Sequence, residues 1–499
     1  MKLKLPKEVR ANDFFIGGKW QSCEDRERLV RQSPGHGVPV SSVTLCTSDD
    51  VNKAVKAARD AFENIWSETP GAARGRILIK AAQGIRDRLD EMAYWETLET
   101  GKPISQAKAE IEAAADHYEA AAGMARMVTG ETHNTYGEGM LGLVTKQPIG
   151  VVALITPWNF PFIVLAERLP FILAAGCSVV LKPSEMTSTT SLMFADILLD
   201  AGLPDGVYNV VTGTGPTVGE AMSTHMDVDM ISFTGSTAVG ERVLEASKSN
   251  LKKVGLELGG KNPQIVFSDA NLDDAADGVA FGLCFNAGQC CVSGSRLIVE
   301  AAVAEEFTLK LVEKLARVKI GDPLDSETQM GAIVTPEHCY KIRSYIQKGQ
   351  TEGAVLIAGG DIVSPSGGQF PSGGQFIVPT VFTNVSSDMA IAQDEIFGPV
   401  VSVLTFETVE EAISIALDTQ YGLAASVWSK NIDKAMGVIR KMRAGRCWVN
   451  TTIIGGPEQP MGGFKRSGTG RECGMMGVEE YMETKSIHVA LGNRQPWIS

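Results

Sequence analysis

From Gly150 onward the chain keeps repeating one pattern, a short apolar run followed by a helical segment. Residues 151–155, 178–181, 208–211 and 230–233 are apolar on both alternating faces and too short for helices, so they read as strands. Residues 165–175, 189–201 and 218–225 carry the helical pattern between them. Strands without a polar face, separated by helices, predict a parallel sheet covered on both sides. A second β/α series follows Leu256, with strands at 264–267, 296–299 and 400–406. Ahead of the first series, Asp49-Asp50 opens a helix that sets Val51, Val55, Ala58 and Phe62 on one face. A long helical region at 72–127 is broken at Gly101-Lys102-Pro103. The helix-poor stretch 132–148 holds a strand at 141–146, and the tail 487–491 reads as an apolar strand. The fold class is α/β: two α/β domains and a small strand element.

The 499 residues suffice for about three average domains or two large ones, and bury a core without disulfide or metal staples. A formal charge of −13 argues against nucleic acid as a partner, because neutralising phosphates needs a basic surface. The 52 glycines exceed average usage without a collagen-like period, so many backbone positions need positive φ or close approach. No apolar segment follows the charged first ten residues, and the most apolar stretch, 171–181, is too short to cross a bilayer. No leader and no membrane span are therefore expected. The nine cysteines, from Cys23 to Cys473, have no framework spacing, and only Cys290-Cys291 cluster. With six scattered histidines and no C-x-x-C pair, no metal is expected, and the chain reads as reduced and cytoplasmic. Residues 364–374 read as a Gly/Ser/Pro-rich surface loop.

Two glycine motifs compete for a phosphate. Gly213-Thr-Gly215-Pro216-Thr-Val-Gly219 is one residue too long for a dinucleotide fingerprint and reads rather as a plain strand-to-helix turn. Phe233-Thr-Gly235-Ser236-Thr237 is better placed, since Gly235 permits the turn and Ser236 or Thr237 can cap a helix and meet a phosphate. Lys182 and Glu185 end another strand, where ribose hydroxyls bind in open sheets, though two solvated charges would look the same.

Cys291 follows the small polar turn Asn286-Ala-Gly288-Gln289. Glu257 lies between Leu256 and Leu258, a setting that desolvates a carboxylate and raises its pKa towards that of a useful base. Asn159, held between Pro157 and Pro161, can supply an oxyanion contact. Nucleophile, base and oxyanion donor make up a covalent-catalysis set.

These segments resemble the aldehyde dehydrogenase superfamily along nearly the whole chain. The resemblance is carried by Pro157-Trp158-Asn159, the Lys182–Glu185 and Phe233–Gly240 stretches, Glu257 to Gly260, and Gly288-Gln289-Cys290-Cys291. Glu395-Ile-Phe397-Gly-Pro399, Pro460-Met461-Gly-Gly-Phe-Lys465 and Ser467-Gly468 continue it in the same order. It implies a Rossmann-like cofactor domain (1–129 and 149–258), a catalytic domain (259–470) and a β oligomerisation element (130–148 and 471–499). It also implies NAD-dependent oxidation of an aldehyde to an acid, with Cys291 as nucleophile, Cys290 a bystander, Glu257 the base and Asn159 the oxyanion donor. Lys182 and Glu185 would hold the adenosine ribose, Ser236 the pyrophosphate and Glu395 the nicotinamide ribose, with Phe397 against the ring. Ile155, Thr156, Pro157, Trp158, Ser184, Gly215, Pro216, Phe233, Gly235 and Leu258 would complete the cofactor cleft.

Phe160, Ile163, Val164, Glu167, Phe285, Val292, Gly455 and Met461 would line the aldehyde tunnel. Many relatives carry aromatics where this chain has Glu167, Gly455 and Met461, a departure that implies a wider pocket than an aromatic box. Glu167 could attract an amine-bearing aldehyde, or simply pair with Arg168 or Arg443. The rival readings are a CoA-acylating semialdehyde dehydrogenase and a non-catalytic nucleotide-binding protein of the same fold. The resemblance further implies a homo-oligomer, tetramer ahead of dimer.

Overall fold

In the computed structural model, residues 3–22, 25–361, 374–493 and 496–498 are described. Cys23 and all but the last residue of the 364–374 loop lie outside them. An eight-stranded sheet runs in the order Gly468–Thr469, Lys253–Glu257, Met230–Thr234, Val151–Ile155, Ser178–Lys182, Tyr208–Val210, Phe14–Ile16, Lys19–Gln21. From Lys253–Glu257 to Tyr208–Val210 neighbouring strands pair in parallel, as the alternation of apolar strand and helix predicts. Their side chains are buried on both faces because helices Gly71–Asp87, Ile104–Met124 and Thr189–Ala201 pack on one side. Ser48–Ala61 and Thr237–Ala246 cover the other.

The second sheet has seven strands in the order Val355–Ala358, Thr380–Thr383, Val400–Phe406, Arg296–Glu300, Pro263–Val266, Ala424–Trp428, Arg446–Val449. Only its first pair is antiparallel. The strand element is a three-stranded sheet in which the tail strand Met482–Ala490 lies antiparallel to Met140–Pro148 along its whole length.

Three features differ from the sequence reading, and a fourth, the first glycine motif, agrees with the strand-to-helix turn it favoured. The helix expected at 165–175 is two helices, Pro161–Ala166 and Leu169–Ala175, with Arg168 between them at φ −125°. Pro170 explains the break, since it has no N–H to extend the earlier helix and suits the first turn of a new one. The long helical region breaks at Arg88 as well as at the expected Gly-Lys-Pro. Gly215–Gly219 forms a wide π turn that leads into Glu220–Thr224, so the first glycine motif is a strand-to-helix turn. Within the range expected for the catalytic domain, Gly468–Thr469 pairs antiparallel with Lys253–Glu257 and so belongs to the first sheet.

Candidate active site

Parallel register sets the candidate residues along one sheet edge. Ile155 is level with Lys182 and with Phe233, and Thr234 is level with Glu257. Strand ends of an open parallel sheet are where ligands bind, because the chain turns away there and leaves backbone groups facing a crevice.

The cysteine loop is built by an unusual run of backbone. Asn286, Ala287 and Gly288 all take positive φ, at 49°, 53° and 70°. At Gly288 a Cβ would come within 2.3 Å of the Gly398 backbone, so only glycine fits there. The Gln289 amide locks the turn, donating to the Asn286 and Ala332 carbonyls and accepting from Val334 N–H. Asn262 Nδ2 donates to the Cys291 carbonyl at 2.8 Å. Cys290 is buried and Cys291 is partly exposed. Contact with the Cys290 thiol, together with burial, pushes the Cys291 thiol well up.

Asn159 joins this loop, as the sequence reading required. Its Nδ2 donates one hydrogen bond to the Gln289 carbonyl at 3.1 Å, and its own carbonyl accepts from Asn286 Nδ2 at 2.9 Å. The amide keeps a second N–H for a ligand. Glu257 is buried, and neither carboxylate oxygen has a hydrogen-bond partner among the described residues. Burial pushes its pKa up to about 8, against the pull of Arg168, while Glu472 and Glu167 add to the rise. The sequence expectation of a desolvated carboxylate with a raised pKa holds. Arg168 itself pairs with Glu472 at 3.4 Å behind the base.

A cavity of about 920 Å³ is lined by Cys291 and Glu257 together with Phe160, Ile163, Val164, Glu167, Phe285, Val292, Gly455 and Met461. Phe160 stacks on Phe285 with centroids 5.6 Å apart, and Phe281 tilts against Phe285 at 5.3 Å. Aromatic surface forms part of the wall, and Glu167, Gly455 and Met461 line the cavity with it. Among the described residues Glu167 makes no ion pair with Arg168 or Arg443; Arg168 pairs with Glu472 and feels the Glu167 charge at longer range. Arg446, Ile453, Phe281 and Glu110 also line the cavity and were missed. Arg446 could have been found from strand alternation, which puts it on the same face as the buried Trp448.

Along the same edge lie the expected cofactor contacts. Ser236 caps Thr237–Ala246, accepting from Val239 N–H. Lys182 Nζ donates to Glu185 at 3.1 Å and to the Pro183 carbonyl. The Thr156 and Thr234 hydroxyls are buried without a partner among the described residues, and Ser184, next to Glu185 in the chain, is buried. Glu395 accepts from Gly260 N–H at 3.0 Å, and burial raises it to about 7. It lies so close to Gly259 that a Cβ there would meet its Oε2 at 2.2 Å. Trp158 stands edge-on to Phe397, with centroids 5.4 Å apart, and His338 packs against both. His338 donates from Nε2 to the Phe397 carbonyl; burial lowers its pKa to about 4, so it is neutral. The sequence reading missed this histidine. A helix cap, orphan hydroxyls and two carboxylates at strand ends fit a dinucleotide. Among the described residues no cluster could hold a metal ion.

The sequence profile of the aldehyde dehydrogenase family matches residues 20–487. The chain belongs to that family. The Arabidopsis thaliana aldehyde dehydrogenase family 2 member C4 is 42% identical to it, over 99% of this chain and 98% of the relative. The crystal structure of an NAD-dependent aldehyde dehydrogenase from Sinorhizobium meliloti superposes with a TM-score of 0.95 at 48% identity, covering 98% of this chain and 96% of that one. An indole-3-acetaldehyde dehydrogenase in complex with NAD+ superposes with a TM-score of 0.93 at 42% identity, over 98% of this chain and 97% of that one. As an aldehyde dehydrogenase the chain is an oxidoreductase with the α/β architecture of its relatives. No helix among the described residues is long and apolar enough to cross a membrane.

Proposed function

We propose that this dehydrogenase oxidises an aldehyde to a carboxylic acid with NAD, through a covalent bond to Cys291. The buried, unpartnered carboxylate of Glu257, lining one cavity with the Cys291 thiol, carries that reading. The thiol is held well up and is protonated at rest; its proton passes to solvent water, after which sulfur is a strong nucleophile. Cys291 Sγ attacks the aldehyde carbon, and the electron pair of the C=O bond moves to oxygen. Asn159 stabilises the resulting alkoxide with its free amide N–H, joined by the backbone N–H of Cys291. When bound, NAD supplies the acceptor for the hydride that the collapsing alkoxide expels. A thioester on Cys291 remains. Glu257 then takes a proton from water, whose oxygen displaces sulfur and releases the acid.

Lys182, Ser184 and Glu185 hold the adenosine ribose and Ser236 the pyrophosphate. Glu395 holds the nicotinamide ribose, and Phe397 and Trp158 border the ring. Ile155, Thr156, Pro157, Gly215, Pro216, Phe233, Gly235 and Leu258 form the walls of the cleft. Residues 1–129 with 149–258 serve the cofactor, 259–470 carry the chemistry, and 130–148 with 471–499 join subunits. The tail strand at the edge of its sheet, with Ile487 and Leu491 exposed, supports a homo-oligomer, a tetramer ahead of a dimer. Unpaired cysteines support a reduced, cytoplasmic setting.

The test is NADH absorbance with an aldehyde panel and analysis of the product. Free acid without added CoA is expected; a strict CoA requirement, or no turnover, refutes the reading. In the same assay Glu185, which can bond a ribose 2′-hydroxyl but repels a 2′-phosphate, makes KM lower for NAD than for NADP. Asn159→Ala removes one oxyanion donor and is expected to lower kcat by about 10²–10³. An unchanged kcat would take Asn159 out of the mechanism.

A further inference from the structure

The aldehyde cavity contains a cation without a counter-ion. Arg446, at the start of Arg446–Val449, lines it and is partly buried. Among the described residues its side chain makes one hydrogen bond, from Nη1 to the Met461 thioether at 3.5 Å, a weak acceptor. The indole of Trp448 lies 5.9 Å from the guanidinium carbon, at the outer limit of a cation–π contact. No carboxylate is within ion-pair distance among the described residues. A guanidinium carries a planar fork of donors matched to a carboxylate, and partial burial deprives it of the water that would otherwise satisfy them.

Space for this group is made by Gly455. A Cβ at that position would lie 1.8 Å from Arg446 Nη2, so the absence of a side chain there admits the guanidinium to the cavity wall. Met461, beside it, is unbranched and adjusts to what binds. Gly455 and Met461 thus act together, one giving room and the other a soft contact. Glu167 lines the same cavity, and its charge is felt by Cys291, Glu257 and Cys473. Cys473 also feels Arg446. Acid and base therefore share one region of the wall without pairing with each other.

We propose that Arg446 is a specificity-determining residue that binds a carboxylate at the end of the aldehyde remote from its carbonyl. This rests on the dehydrogenase reading above. Phe160, Phe285 and Phe281 would flank the apolar middle of such a substrate, and Glu167 would weaken its binding through like charge. The selectivity is a difference between two affinities, so one enzyme preparation supplies its own control.

The probes are para-formylbenzoate and para-tolualdehyde, matched in shape and different in charge, each with NAD. The ratio of their kcat/KM values is the readout. Wild type is expected to favour the carboxylate. Arg446→Met should lower the ratio roughly ten- to hundredfold, the worth of a charge-assisted fork of hydrogen bonds, and chiefly through KM. Arg446→Lys should restore part of it, and Glu167→Gln should raise it. A merely structural role for Arg446 would change folded yield or Tm and leave the ratio alone. An unchanged ratio in Arg446→Met, or a wild-type preference for para-tolualdehyde, overturns the proposal and spares the dehydrogenase reading. Turnover of neither probe, with NADH formed from other aldehydes of the panel, overturns this proposal alone; no turnover across the whole panel overturns both.

Discussion

Cys291→Ala is expected to abolish NADH formation, on the order of a 10⁶-fold loss, while Cys290→Ala keeps most of it. The two thiols are neighbours in sequence and differ in setting. Cys290 is buried in a cluster with Phe160, Val164, Val292, Leu423 and Trp448, which makes it a small core residue. Both line the cavity with Glu257, and Cys291 is the partly exposed one. The pair nevertheless communicate, since contact with Cys290 is the first cause of the raised Cys291 pKa. Cys290→Ala should therefore make Cys291 easier to deprotonate. The check is the rate of alkylation by iodoacetamide against pH, whose midpoint should move down in Cys290→Ala. Equal loss of turnover in both alanine variants would mean that the nucleophile has been misassigned.

Glu257→Gln has the next largest expected effect. Glutamine keeps the shape and cannot take a proton, so water reaches the thioester without a base and steady-state turnover falls about 10²–10⁴-fold. A burst of NADH followed by a slow phase is expected, with the acyl group found on Cys291 by mass spectrometry of the quenched protein. The sign of the pH dependence follows from the raised pKa of about 8. The base works when deprotonated, so wild-type deacylation climbs as pH rises through about 8 and levels off above it. Below that it falls with the fraction of carboxylate. In Glu257→Gln this limb should vanish. A variant with no burst, or one retaining the wild-type pH limb, would remove Glu257 from the base role.

Most of the fold could be read from the chain because its strands are wholly apolar and its turns are marked. Val151–Ile155 and Ser178–Lys182 cannot face water on either side, which leaves a covered parallel sheet as the solution. Local chemistry also made Glu257 legible, since leucines on both sides already imply desolvation. What local sequence could not carry was pairing between distant segments. Arg168 looked available to its neighbour Glu167, but Glu472 arrives from the far end of the chain and takes it. That leaves Glu167 acting on Arg168 only at longer range, without an ion pair among the described residues, and this could not be read from neighbouring sequence. Arg446 was obscured for a similar reason, because its room comes from Gly455 across a turn. The helix break at Arg168 was legible in principle, through Pro170, and the apolar periodicity on either side hid it.

The strand Gly468–Thr469 returns from the second half of the chain to pair beside Glu257. Next to it the Ser467 hydroxyl donates to the Gly259 carbonyl at 2.7 Å, and Leu258 N–H donates to the Ser467 carbonyl at 2.8 Å. The segment that carries the catalytic base is thus clasped from outside by chain encoded some two hundred positions later. A chimaera cut between 258 and 259, pairing halves from two relatives, would bring a foreign clasp to the base. Grafts that respect the molecule's own seams would move residues 466–470 together with the first sheet.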